Sequence, residues 1–208
     1  MSFLQTLIFS VIKYTILTHK DVNIVHLITK MRKTDAVKAF AEYDKRGRYV
    51  FNNADLAKIF HEDNERALRA GIKRLLDDQL LVRVINGIYV NELSQSKGSN
   101  TLEQIAKTIR RGEYNYVSLE SALSEYGVIS QIPVDRLTVM TTGRSAEYKT
   151  PYGTIEFTHT KRSPTDILEG TLLVDRPLRL ATKQVAYRDL KRVGRNTHLV
   201  DEEALHED

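Results

Sequence analysis

Two runs of β-forming residues in LLVRVINGIYVN (residues 80–91) meet at Asn86-Gly87. Asn-Gly is the strongest two-residue hairpin signal, because the turn that suits right-twisted strands asks for positive φ at both positions. This hairpin closes a series of signals that starts near Met31. Ala36, Val37, Phe40 and Ala41 recur at helical spacing and predict a helix over about 34–44. Gly47 ends that region, and Tyr49-Val50-Phe51 reads as a short strand. Asn53 precedes ADLAKIF, a short helix with Leu56, Ile59 and Phe60 inward. The polar turn HEDN (61–64) carries a helix start signal, and a longer helix follows to about Asp78. Its inner face is Leu68, Ile72, Leu75 and Leu76, and its outer face carries Arg66, Arg69, Lys73 and Arg74.

The order helix, strand, helix, turn, helix, hairpin predicts a winged helix-turn-helix over residues 31–91. In that fold the third helix enters the DNA major groove and the wing touches the neighbouring backbone. Asn64, Arg66, Arg69 and Lys73 stand where donors to base edges are needed. Arg74 and the wing residue Arg83 suit phosphate, with Asn86 at the wing tip. Between residues 61 and 90 five basic residues face five acidic ones, so the same surface also fits a solvated face or a protein contact.

The chain has 208 residues, enough for one large domain or two small ones. Hydrophobic residues are 41% and charged residues 28%, the balance of a globular chain and not of a disordered one. There is no cysteine, which removes disulfides, cysteine-ligated metals and thiol nucleophiles and fits a reducing cytoplasm. Six histidines include no His-x-x-x-His pair, so neither a metal site nor a cofactor is expected. Residues 201–208 hold five acids and no Lys or Arg, an acidic tail. The rest of the chain sets 31 basic residues against 22 acidic ones, a net charge of +9 that suits a polyanionic partner. The apolar run MSFLQTLIFSVIKYTIL has no basic leader, carries Lys13 and lacks a cleavage site, so we expect neither a secretory signal nor a membrane span there. We expect residues 1–30 to be an apolar extension from a misassigned start, with the compact protein starting near Met31; the alternative is a helix packed on a partner or on the body.

NELSQSKGSNT (91–101) is poor in large apolar residues and reads as a linker over 92–101. LEQIAKTIRRG (102–112) is an amphipathic helix ending at Gly112, and Ser118 is placed to cap a helix of about 119–126. RLTVMTT, SAEYKT and TIEFTHT read as strands, the last two around a turn at Pro151-Tyr152-Gly153, and TLLVD (171–175) as a further one. A final helix of about 180–193 follows. Seven Lys or Arg between Arg176 and Arg195 face one acid, Asp189. The fold class is therefore α+β: a winged helix, then a mixed α/β domain over 102–200.

The stretch YVSLESALSEYGVISQIPVDRLTVMTTGRSAEYKTPYGTIEFTHTKR (116–162) and the block LRLATKQVAYRDLKRVGRN (178–196) resemble the AbiEi-type antitoxins of bacterial toxin–antitoxin and phage-abortive systems. The likeness spans roughly 31–200. It implies that the winged helix binds inverted repeats in its own promoter, with Arg66, Arg69 and Lys73 reading the operator. It also implies that the second domain neutralises a nucleotidyltransferase-fold toxin, directly or functionally. The antitoxin surface would then fall on 116–195, with Arg144, Lys183, Arg188, Lys191 and Arg192 as its cations. Many relatives carry Pro-Glu-Lys-Ala where this chain has Lys183-Gln184-Val185-Ala186.

Catalysis is not expected. The toxin's own signature of Gly-Ser followed by paired acids is missing, since nothing of that kind follows Gly143-Arg144-Ser145. The sharpest enzymatic alternative is a Mg²⁺-dependent PD-(D/E)xK-like nuclease using Asp135, Glu147 and Lys149, whose carboxylates would hold the metal. A third reading is an interaction adaptor that binds no DNA. Ser118 and Ser121 are assigned to helix-start duties.

Overall fold

The structure, a computed structural model, describes residues 31–130 and 135–206. The extension expected over residues 1–30 lies outside them. Helix α1 (Lys33–Asp44) buries Ala36 and Phe40. Phe40 stacks on Phe51 of strand β1 (Val50–Asn52), with ring centroids 5.2 Å apart. Asn52 caps α2 (Asn53–Ile59): its side chain accepts from the Asp55 amide and the Asp55 carboxylate accepts from the Asn52 amide, so two orphan donors are satisfied together. Helix α3 (Glu65–Asp77) turns Leu68, Ile72 and Leu75 inward.

Strands β2 (Leu81–Ile85) and β3 (Ile88–Asn91) complete an antiparallel sheet of order β1-β3-β2. The turn differs from the one predicted: Gly87 alone takes positive φ, at 77°. A bulge between Arg83 and Ile85 supplies the irregularity that fits this turn to the strands.

Successive residues of these strands serve two cores. Phe51, Leu81 and Tyr89 face α1–α3. Val50, Val84, Ile88 and Val90 join Ile105 and Ala106 of α4 (Thr101–Ile109) in the larger core of the second half. All four residues of β3 are buried. The segment predicted as a linker is fastened down. Asp44 accepts from the Ser94 hydroxyl and from the Gln95 amide at 2.8 Å. Glu92 takes Lys97 at 2.6 Å and the Tyr152 hydroxyl at 3.0 Å.

The second half is built on a mixed sheet of β4 (Asn115–Val117), β5 (Arg136–Thr141), β6 (Ala146–Thr150), β7 (Gly153–His159), β8 (Thr171–Leu172) and β9 (Arg179–Ala181), in the order β6-β7-β5-β4-β9-β8. β5 runs parallel to β7 and β4 to β9; the other pairs are antiparallel. Four short helices complete it: α5 (Leu119–Glu125), α6 (Pro164–Glu169), α7 (Lys183–Val193) and α8 (Glu202–His206). The architecture is thus mixed α/β with two sheets and eight helices among the described residues, consistent with the α+β class.

Four expectations are corrected, at Leu180, at the end of β8, at Ser118 and at Ser121. Leu180 lies in strand β9, and the last long helix starts only at Lys183, after Thr182 caps it by accepting from the Val185 amide. β8 stops at Leu172 instead of continuing to residue 175. The described part of the acidic tail is the helix α8, docked through buried Leu205. Ser118 makes no side-chain cap; its hydroxyl donates to buried Asp189 at 2.9 Å. Asp189 also accepts from Tyr116 at 3.1 Å and Arg162 at 2.8 Å, so a fully buried carboxylate is fully paired. Ser121 likewise bonds β5, accepting from the Thr138 amide at 2.9 Å. This clamp and the Thr138 hydroxyl, which donates to the Ser118 carbonyl at 2.7 Å, hold Leu119 in left-handed backbone at φ 58°.

Candidate nucleic-acid interface

Basic residues on α3 become a site only if the fold brings other cations to them. Three converge. Arg69 and Lys73 of α3 and Arg83 of β2 line one open groove, walled by Asn53, Ala54 and Ala57 of α2. The Arg83 guanidinium lies 5.7 Å from the centroid of the Tyr89 ring, which holds it on the groove side of the hairpin. Arg69 pairs with Glu65 one turn earlier, and both side chains are more than three-quarters exposed. Such a pair contributes little and is readily exchanged for a phosphate.

The other sequence-predicted residues divide. Arg66 is exposed on the helix face shared, by its i+3 and i+7 spacing, with Arg69 and Lys73. Asn86 is exposed at the hairpin tip. Asn64 is not free to read adenine through both amide atoms: its oxygen accepts from the Ala67 amide at 2.9 Å as the α3 cap. Arg74 lies on another side of the helix, where it donates to the Met31 carbonyl at 3.1 Å and lines a pocket with Gly71 and Asp78. One residue is about 100° of helical rotation, so adjacency to Lys73 in sequence places Arg74 off the groove.

A second basic groove, missed in the sequence, lies on the other side of α2. Arg48 and Lys58 meet Lys107, Arg110 and Arg111 there, with Asp55 and Glu113 as its acids. Asp55 is buried and accepts from both Arg111 terminal nitrogens at 2.7 and 2.8 Å and from Arg48 at 3.2 Å. Burial pushes its carboxyl up, but the Arg111 fork, the Asn52 amide and the nearby Arg48 charge outweigh that and hold it below the usual carboxylate range. The ion pair crosses 56 residues of chain, which no local pattern announces.

In the second half Arg192 donates to the His159 carbonyl at 3.2 Å, and the His159 ring contacts the Gly143 carbonyl at 2.8 Å beside Arg144. Arg188, Lys191 and Arg192 are exposed and share one side of α7, with Lys191 5.2 Å from the Tyr187 ring centroid. Lys183 is separated from them: it sits at the opposite end of α7 and donates to the Ala204 carbonyl at 3.0 Å.

Of the residues weighed for a nuclease, Glu147 is held in an ion pair. Arg136 bridges Glu147 and its cross-strand partner Glu156, each at 2.9 Å. Lys149 is exposed on the edge strand, and Asp135 contributes its backbone carbonyl to Thr154 at 2.7 Å. No group of three potential ligand residues among the described residues can hold a metal ion. No helix among them is long and apolar enough to cross a membrane.

Fold and grooves together define a two-sheet α/β protein whose smaller sheet carries a basic, helix-and-hairpin groove. The chain belongs to the family of unknown function DUF6088, which it matches over residues 37–205. No curated protein matches it significantly.

Proposed function

We propose that this is a DNA-binding protein whose residues 31–91 act as a winged helix, and that it represses its own promoter as the antitoxin of a two-gene module. The observation that carries the DNA reading is the convergence of Arg69, Lys73 and Arg83 between the third helix and the hairpin. Three cations from two elements along one groove match a helix laid in the major groove with a hairpin on the adjacent backbone. The balance of +9 outside residues 201–208 supplies general attraction to a polyanion. The antitoxin role rests on the resemblance of residues 116–162 and 178–196 to AbiEi-type antitoxins. Arg144, Arg188, Lys191 and Arg192 are the cations through which it would act on a nucleotidyltransferase-like toxin.

The test is binding of the full chain to DNA from its own upstream region and to random duplex, over a series of salt concentrations. Arg69→Ala should narrow the gap between the two DNAs, by about 1–3 kcal/mol if Arg69 reads a base. Arg83→Ala should weaken both about equally and make the salt slope shallower by about one. Equal effects of the two substitutions on both DNAs would sink this division of labour. Co-expression with the neighbouring reading frame tests the second role: rescue of growth by the full chain supports it, and a harmless neighbour removes it.

A further inference from the structure

We propose that the groove between α2 and α4 is a second phosphate site, built by both halves of the chain, and that its occupant is the backbone of the DNA held in the first groove. This rests on the DNA reading above. Its own basis is the charge and bonding state of the groove. Five cations line it against two acids, and both acids are engaged. Asp55 takes Arg111 and Arg48, and Glu113 accepts from the Thr142 hydroxyl at 2.6 Å. Lys58 and Lys107 are exposed and have no ion-pair partner among the described residues.

Two further atoms in this lining lack partners. The Arg110 Nε–H and the Gln104 side-chain oxygen are buried without any hydrogen bond among the described residues. Arg110 is otherwise fixed: a terminal nitrogen donates to the Arg144 carbonyl at 2.7 Å, and its guanidinium lies 5.0 Å from the Phe157 ring centroid. The Nε–H is itself shielded, so it is the guanidinium charge of Arg110, which lines the groove with no carboxylate partner among the described residues, that calls for an anionic oxygen. Arg and Lys together, in a groove too open for a dedicated small-molecule cage, suit a phosphodiester backbone.

The position supports the same occupant. Helix α2 presents Asn53, Ala54 and Ala57 to the first groove and Asp55 and Lys58 to the second, so it is the wall between them. A helix is about 10–12 Å across. That is roughly the rise of three base pairs at about 3.4 Å each, so one duplex reaches both sides.

The experiment has two arms on the full chain. In the first, inorganic pyrophosphate is titrated while arginine Nε–H signals are followed by NMR, with Arg110 assigned through Arg110→Lys. In the second, Lys107→Gln and Lys58→Gln are compared with Lys38→Gln, an exposed α1 position outside both grooves, for DNA affinity against salt. We expect the Arg110 signal to move. We also expect each groove variant, unlike the control, to lose affinity for all sequences alike, with a salt slope shallower by about 0.9. A moving signal with no DNA bound by the wild type would keep the phosphate site, assign it to free phosphates, and overturn both the DNA reading and the DNA backbone as its occupant. DNA binding with groove variants indistinguishable from Lys38→Gln would overturn the shared track, and a still Arg110 signal besides would overturn the site.

Discussion

Asp55 joins three parts of the molecule. It closes the α2 capping box and holds Arg48, and it receives the Arg111 fork from the second half. Its depressed pKa fixes the sign of its pH dependence. The stabilisation is fully present above the unfolded value of about 4 and is lost as pH falls through the lower folded value. Asp55→Asn should therefore destabilise the protein at pH 7 by about 1–3 kcal/mol, toward the lower end because Arg111 is half exposed and can resolvate. Urea unfolding at pH 7 and pH 3 checks this, and an equal gap at both values would refute it. Side-chain roles of this kind were the least legible part of the sequence. Asn64 reads as a base contact and Ser118 as a cap because local position is all that sequence spacing offers. The structure makes Asn64 the cap and gives Ser118 to Asp189, 71 residues away.

At the scale of elements, legibility followed length and periodicity. α1, α3, α4 and the β2–β3 pair each carry enough apolar residues at period 3.6 or 2 to show themselves. β9 and α8 do not. A three-residue strand is defined by its partner β4, more than 60 residues upstream, and a five-residue helix by one buried leucine. Ser163-Pro164-Thr165-Asp166 is a helix start that local sequence does carry: Ser163 and Asp166 form a capping box with Pro164 in the first turn. The hairpin gives the prediction at this scale. Gly87 needs its φ of 77°; its carbonyl accepts from the Asn53 backbone amide at 3.1 Å, and a Cβ there would stand 3.1 Å from the Asn53 side-chain Nδ2 at the start of α2. Gly87→Ala should cost about 1–2 kcal/mol through left-handed strain. It should also weaken DNA binding more than that loss alone, because strain at Gly87 loosens its carbonyl from the Asn53 backbone amide of the helix that shares its groove. Denaturant midpoints read beside DNA affinity separate the two effects. Unchanged affinity in folded protein would show that the hairpin's seating on α2 has no part in binding.

For the whole molecule, the sequence suggested two bodies on a tether, and the shared sheet argues for one. β3 is buried along its length, and Val50, Val84, Ile88 and Val90 lie in the same core as Ile105 of α4. Exposing four such side chains costs about 1.5–3 kcal/mol each. The sum rivals the entire stability of a domain, about 5–15 kcal/mol. Residues 31–91 alone should therefore fail to fold, and the full chain should unfold in one transition despite its two sheets. Ile105→Ala tests this within the intact protein. It should cost about 2–5 kcal/mol, and hydrogen exchange should rise together in α3 and in β7, one element from each half. Faster exchange in β7 with α3 unchanged would make the halves independent. It would also remove the rigid relation between α2 and α4 on which a DNA track crossing both grooves depends.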